Sequence, residues 1–499
     1  MLELWSSISW LLLFSIILIS TIFLRAYIRN PSPKLHTSYP LVGATFAILS
    51  NRIRVNQWIT DILSQCSTRT CVLQRGILGP ARVWTANPEN VKHILQTQFS
   101  VYLKDEIITS NHSDFFGTGI FNTDGENWKF QRKISSHEFN TKSLRKFIED
   151  VVKTELFDRF IPVLSTAAEQ NTVLDLQNIL QRFGFDSICK ISFGFDPAYL
   201  SPSLVWSEFV TAYEDATQIS SNRAGYVIPL VWKLKRHLNI GSEKKLREAS
   251  SKVRESVRRL IRQKKQEIKD SVEATDLLSR FLRDDHCNDD FVVDIVISFI
   301  LAGKDTVAAA LTCFFWLVSC HPRVEEEILK EINQLAPDDP GYEDVKSLVY
   351  IHASLCESMR LYPPVPNDSR AATRDDVLPD GTIVKKGMRV TYCAYAMGRM
   401  DDLWGSDWDE FKPERWLEMD KGTGKSHFVA RDSYTYPVFH AGPRICLGKE
   451  MSFLQMKMLV VETLRRFRVV PAEVDEPVFV SYLTLHMKGG FSVKIQKRC

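Results

Sequence analysis

One cysteine has the surroundings of a metal ligand. Cys446 stands in FHAGPRICLGKE, residues 439–450, between Gly442 and Gly448 and directly ahead of a helical run, MSFLQMKMLVVETLRRF. A thiolate, not a thiol, binds a metal, and the dipoles at a helix N-terminus lower a cysteine pKa. Flanking glycines let the backbone approach a flat cofactor and aim N–H groups at sulfur. Arg444, two residues earlier, could neutralise a cofactor carboxylate. Taken alone, a lone cysteine in a glycine loop is most often structural. Three further constellations bear on the choice. Trp128-x-x-x-Arg132 puts an indole N–H and a guanidinium on one helical face, able to donate to an anion or simply to stack at the surface. Glu357-x-x-Arg360 can pair at i, i+3, and Arg415 in PERW could complete a buried network. Ala302-Gly303-x-Asp305-Thr306 places an acid and a hydroxyl inside an apolar helix, which is costly unless they are used or satisfied. Gly303 would open space there for a small ligand.

The elements that must position these groups are mostly helical. Val253, Val257, Leu260, Ile261 and Ile268 line one face of a segment whose other face carries Arg254, Arg258, Arg262, Lys265 and Lys269. That basic face reads as a solvated surface, with membrane contact as the alternative. Residues 291–322 are apolar nearly all round and stop at Pro322, as in a helix through the centre of a large globule. As a membrane span, this run would bury Asp294, Lys304 and Asp305 in lipid. Strand-like stretches are few and short: residues 82–86, 382–394 and the C-terminal GGFSVKI. The expected class is mainly α with small β-sheets.

The N-terminus differs from the rest. Residues 4–24, LWSSISWLLLFSIILISTIFL, carry no charge, and 21 helical residues span about 30 Å, enough to cross a bilayer core. Arg25 and Arg29 follow, whereas only Glu3 precedes, so everything after Leu24 is expected on the cytosolic side. We therefore expect a single-span anchor at 1–24, a linker with Pro31, Pro33 and Pro40 at 25–45, and one large domain at 46–499. The Asn111 and Asn367 glycosylation patterns would then never meet the luminal machinery. A net charge of +3 is too weak a bias for a nucleic-acid binder. Ten scattered cysteines without a C-x-x-C pair suggest neither a zinc site nor a disulfide framework. GTGKS, residues 422–426, lacks the first glycine and the preceding strand of a phosphate loop.

Phe439-x-x-Gly442-x-Arg444-x-Cys446-x-Gly448 resembles the haem-binding loop of the cytochrome P450 monooxygenases at all five fixed positions. The other constellations follow in the family's order, and the resemblance covers essentially everything after the anchor. It implies the cytochrome P450 fold and haem b, iron protoporphyrin IX, with Cys446 as the axial thiolate ligand of the iron. It also implies Trp128 and Arg132 as a clamp on a haem propionate and Arg444 on a carboxylate. Arg370 falls where relatives often contact a propionate. Glu357, Arg360 and Arg415 would be structural. Asp305 and Thr306 would activate oxygen, with Asp305 relaying protons. Many relatives have a second hydroxyl where this chain has Val307.

Residues 302–322, 395–416 and 436–457 are most similar to the plant fatty-acid ω-hydroxylase group. By that similarity the reaction is hydroxylation of the terminal or near-terminal carbon of a long aliphatic lipid, a fatty acid first. Some members oxidise sterol side chains at C-26, in steroidal saponin and alkaloid formation, or jasmonate–amino-acid conjugates. Electrons would come from NADPH through a separate NADPH–cytochrome P450 reductase, since the chain has no flavin or nicotinamide motif. The endoplasmic reticulum membrane is the expected location. Residues 102–122, the segment after Pro363 and SYLTLHM, residues 481–487, would line the pocket. A haem-thiolate hydroperoxide isomerase or lyase and a haem sensor are the alternatives. Retention of Asp305 and Thr306 argues against both.

Overall fold

A computed structural model describes residues 41–201, 208–226, 228–270, 276–335, 340–422, 424–473 and 475–498. The expected anchor at 1–24 and the linker as far as residue 40 lie outside them. The helices that position the site are α1 (Val55–Gln65), α2 (Glu106–Phe116), α3 (Gly125–Ser136), α4 (Leu176–Phe193), α5 (Glu208–Asn222), α6 (Pro229–Leu238), α7 (Gly241–Asp270), α8 (Asp289–Cys320), α9 (Tyr350–Leu361) and α10 (Lys449–Arg466). The strands are β1 (Thr70–Leu73), β2 (Arg82–Thr85), β3 (Tyr102–Leu103), β4 (Asp368–Ala372), β5 (Arg389–Tyr392), β6 (Phe479–Ser481) and β7 (Leu485–Met487). β1 to β5 form one sheet in the order β1-β2-β5-β4-β3, in which only β2 and β5 run parallel.

Asn288 opens α8: its side-chain oxygen accepts the Phe291 N–H at 2.9 Å, and Asp289 and Asp290 fill the first turn. Both features favour a helix start, through the cap and through the dipole. Pro322 prevents continuation. The first half of α8, Val292 to Leu301, packs into one apolar cluster with α5 and α7. The second half, from Val307 to Val318, packs into another with α9 and α10. Residues 302–306 belong to neither, and they include the polar motif. Among the described residues no helix is long and apolar enough to cross a membrane. Residues 291–322 are the buried helix their pattern implied, with Asp294 paired to Arg254 at 2.8 Å.

α7 buries Val253, Val257 and Ile261. Its basic face is largely ion-paired: Arg258 to Asp290 at 2.8 Å, Lys265 to Asp289 at 2.5 Å and Arg262 to Glu255 at 3.1 Å. A third cluster fills the space beneath the five-stranded sheet, with Val83, Val390, Tyr392 and Tyr102 packed on Ile94, Leu95 and Ala441. Ala441 belongs to the cysteine loop. The sheet and the loop therefore share one core.

Candidate active site

The cysteine loop is fixed by its own backbone. The Cys446 N–H donates to the Phe439 carbonyl at 2.8 Å, and the Ile445 N–H to the Gly442 carbonyl at 3.1 Å. Gly442 has φ +65, and a Cβ there would stand 2.2 Å from the Leu95 carbonyl oxygen. Only glycine fits both demands. Phe439 packs on Phe453 of α10, ring centroids 5.1 Å apart. Gly448 is the N-cap of α10 and has room for a Cβ, so the loop itself does not require glycine there. The Cys446 thiol is open to solvent yet closely walled by protein. That burial pushes its pKa up, while the Gly448 N–H, Arg132 and Lys449 pull it down.

Positive charge gathers beside this thiol. Trp128 is buried, with the Arg444 guanidinium 4.3 Å and the Arg132 guanidinium 6.0 Å from its ring centre. Arg132 makes no hydrogen bond or ion pair among the described residues. Arg444 pairs with Asp124 and donates to the Thr123 carbonyl at 3.0 Å. Burial, then the nearby Arg370, brings its pKa down to about 10. Arg370, on β4, reaches Asp368 at 2.8 Å and His440 Nε2 at 2.9 Å. Lys104 lies 3.9 Å from Asp368, and burial followed by Arg370 lowers its pKa to about 8. Burial also lowers the pKa of His440, so its imidazole is neutral at pH 7. Four cations thus face two carboxylates, Asp124 and Asp368, which leaves two positive charges uncompensated. Sequence reasoning found Trp128, Arg132, Arg370 and Arg444. It missed Lys104, His440 and both acids, which lie in no motif.

On α8 the Thr306 hydroxyl donates to the Ala302 carbonyl at 2.6 Å. Asp305 turns away to Lys304, whose Nζ is 2.8 Å from its carboxylate and 3.3 Å from Glu214 of α5. Burial works against the Lys304 charge, but Asp305 and Glu214 outweigh it and hold the pKa above its ordinary value. His486 of β7 stands near enough for both charges to act on it. The expected space at Gly303 is not there. A Cβ on Gly303 would come within 2.6 Å of the Ile188 side chain, and one on Gly184 within 3.0 Å of the Lys304 carbonyl. The two glycines instead let α4 and α8 pack closely, and Ile188 takes the room.

The Glu357–Arg360–Arg415 network forms as the spacing implied. Glu357 and Arg360 are fully buried and joined by two bonds of 2.8 Å, with Arg415 at 3.1 Å. Trp416 Nε1 donates to Glu357 at 2.9 Å, and Arg360 holds the carbonyls of Trp408 and Glu410 at 2.7 and 3.0 Å. None of these groups reaches the thiol. They tie α9 to the segment leading into the cysteine loop. Of the expected pocket segments, two are joined directly: the Leu485 N–H donates to the Pro364 carbonyl at 2.9 Å.

A long-helix fold closed around one accessible thiol and a surplus of two positive charges is that of an enzyme built to hold a flat, anionic cofactor. The cytochrome P450 family model matches residues 33–492, and the chain belongs to that family. It is 56% identical to cytochrome P450 94A1 of Vicia sativa over 92% of this chain and 90% of the relative. It is 53% identical to cytochrome P450 94A2 of the same plant over 99% of each. Cytochrome P450 94B1 of Arabidopsis thaliana is 47% identical over 94% of this chain and 92% of its own length. The chain is therefore a cytochrome P450 monooxygenase of the 94 group, and family membership implies haem as its cofactor. The residues present fit that group: haem brings two propionates, and the pocket beside Cys446 lacks two negative charges.

Proposed function

We propose that this enzyme hydroxylates the terminal or near-terminal carbon of a long aliphatic lipid, a fatty acid in the first instance. The carrying observation is the accessible Cys446 thiol beside two uncompensated positive charges, which suits a thiolate-bound haem. Cys446 would bind the haem iron through its thiolate, with Phe439 packed beside the loop and Gly448 offering its N–H towards the sulfur. Arg132, Arg370, Arg444 and the Trp128 indole would hold the propionates. Bound haem supplies oxygen activation, so that one oxygen atom enters the substrate C–H bond and the other leaves as water. The two electrons come from NADPH through a separate reductase. Thr306 offers a hydroxyl on α8, and Asp305, one residue before it, is the acid that relays protons. The Lys304–Glu214 pair links Asp305 to α5, where the Glu214 side chain is 37% exposed. That line is the route by which a proton enters from solvent. The fatty-acid reading rests on the likeness of residues 302–322, 395–416 and 436–457 to the ω-hydroxylase group.

We place the enzyme on the endoplasmic reticulum membrane, anchored by residues 4–24 with the catalytic domain in the cytosol. α6 supports a membrane contact: Leu230, Val231, Leu234 and Leu238 are exposed, and Lys233, Lys235, Arg236 and His237 share the same ten residues. The test is turnover in microsomes that contain this chain and a plant reductase, offered lauric acid and 22-hydroxycholesterol with and without NADPH. An NADPH-dependent terminal alcohol of lauric acid is the expected product. A C-26 hydroxylated sterol without any fatty-acid product would replace the substrate reading. A fatty-acid hydroperoxide is offered alongside them, and its conversion without NADPH, with no other product, would replace the reaction.

A further inference from the structure

A cavity of about 500 Å³ opens where the C-terminal end of α8 meets the end of α9 and the segment before PERW. Its volume lies within the range of about 300–1,000 Å³ that holds small ligands. None of the residues that hold the cofactor lines it. Its wall on α8 includes Trp316, ten residues beyond Thr306, which is about 15 Å along the helix. The lining carries one permanent cation, Arg399, and two acids, Asp409 and Glu410.

Arg399 is partly buried and held without a carboxylate. Its Nη1 donates to the Leu361 carbonyl and, at 3.2 Å, to the Tyr395 carbonyl. The guanidinium lies 3.6 Å from the Tyr395 ring centre and 5.1 Å from that of Tyr362. Its Nε and Nη2 make no hydrogen bond, and no acid pairs with it, among the described residues. Glu476 acts on both flanking tyrosines but forms no ion pair with the guanidinium. Arg360, which also bears on Arg399, adds positive charge and has its own carboxylate in Glu357. Ring faces and carbonyls ease the burial of a cation, but they supply no negative charge.

The two acids lack the opposite partner. Asp409 and Glu410 are exposed, and their side chains make no hydrogen bond or ion pair among the described residues. Neighbouring acids are taken: Asp407 by Arg415 and Lys412, and Glu414 by Arg323. Trp408 directly precedes the pair. Its carbonyl accepts from Arg360 at 2.7 Å, which fixes the residue. Its indole stacks on no ring and has no cation over it among the described residues. Trp316, by contrast, already meets Tyr362 edge-on at 5.3 Å. An open indole face beside two free carboxylates suits a quaternary ammonium. A neutral ligand would satisfy neither charge. An inorganic anion would meet Arg399 with both acids against it, and a simple cation would leave Arg399 as it is. A zwitterion answers all three groups.

We propose that this cavity binds a zwitterion of the phosphocholine class, with its phosphate on Arg399 and its quaternary ammonium on Trp408 beside Asp409 and Glu410. A planar guanidinium suits a phosphate, and the bond is charge-assisted. The site is separate from the haem pocket and independent of which lipid is hydroxylated.

The test is isothermal titration calorimetry of the purified holoenzyme with phosphocholine, choline and inorganic phosphate in turn. Phosphocholine is expected to bind at one site, about tenfold or more tightly than either half, because each half forfeits a charged contact. Arg399→Gln should abolish binding of phosphocholine and phosphate. Asp409→Asn/Glu410→Gln alters only exposed side chains that the fold does not use, so it should keep the parent's thermal midpoint. That variant should bind phosphocholine about fivefold or more weakly and inorganic phosphate more tightly. Its result decides the matter even if Arg399→Gln fails to fold. The haem absorbance should not move on saturation. A short-chain phosphatidylcholine that displaces phosphocholine identifies a membrane lipid as the source, and failure to displace it identifies a free headgroup ester; the site stands in both. No saturable phosphocholine binding, or unchanged affinity in the doubly neutral variant, overturns the site. A haem absorbance shift on binding would put the zwitterion in the substrate pocket and overturns it equally.

Discussion

Lys304→Met tests the ion pair on α8 most directly. Lys304 and Asp305 are 2.8 Å apart, with side chains 2% and 6% exposed, so water compensates neither. Removing one partner of such a pair leaves a buried charge and costs about 3–5 kcal/mol. The melting entropy of a globular chain is about 2.1 cal/mol/K per residue, so over a body of this size the loss corresponds to roughly 3–5 °C in the thermal midpoint. The sign of its pH dependence follows from the lysine that is removed. A base whose folded pKa is raised contributes stability that is full below its unfolded pKa and is lost as pH rises through its folded pKa. The deficit should therefore be the same near pH 5 and near pH 8. In the parent the Lys304 shift is upward, so its contribution is present throughout that range and fades only above the ordinary lysine pKa.

The assay is thermal unfolding of the holoenzyme at both pH values, followed by haem absorbance and far-ultraviolet circular dichroism. Lys304→Met/Asp305→Asn removes both charges and should recover most of the loss. No recovery in the double variant would refute the reasoning. That outcome would mean that Lys304 acts through packing and not through its charge.

Three further changes separate cofactor-holding groups from architecture. Cys446→Ser should keep its helical circular dichroism and lose the thiolate–haem signature of the reduced carbon monoxide complex; a retained signature would exclude Cys446 as ligand. Arg132→Ala should leave the apoprotein midpoint unchanged, because the guanidinium makes no hydrogen bond, yet speed haem loss to apomyoglobin about tenfold. Glu357→Gln should cost about 3–5 kcal/mol, measured as soluble yield and midpoint, because Arg360 would be left buried without its carboxylate. Full stability in that variant would place the network outside the fold's support.

The sequence reveals what lies within one element and hides what two distant elements share. The cysteine loop, the i, i+4 pair at Trp128 and the i, i+3 pair at Glu357 are local patterns, and each stands where its spacing implied. Arg415 joined its network because a short motif marked it. Lys104, His440, Asp124 and Asp368 were illegible because the sheet, a loop and a helix cap bring them together from separate parts of the chain. Gly303 was misread for the same reason. Its local reading is empty space on a helix, but Ile188, more than one hundred positions earlier, fills that space. Lys304 was visible as a charge in an apolar run, but its role needed Glu214 from α5. The apolar character of α8 was legible. Its division between two cores, with the polar motif at the gap, was not.

Charge balance distinguishes the architectural groups from those that await a ligand. The buried part of the network around Glu357 is closed: two acids, Glu357 and Asp407, meet two arginines, Arg360 and Arg415, backbone carbonyls take the remaining donors, and the third cation, Lys412 on Asp407, is exposed to water. Such a set is satisfied by the fold alone and asks for nothing from outside. The groups beside Cys446 are open by two charges. An uncompensated charge walled in by protein is costly, and a bound anion restores the balance. That opening matches the two propionates of haem.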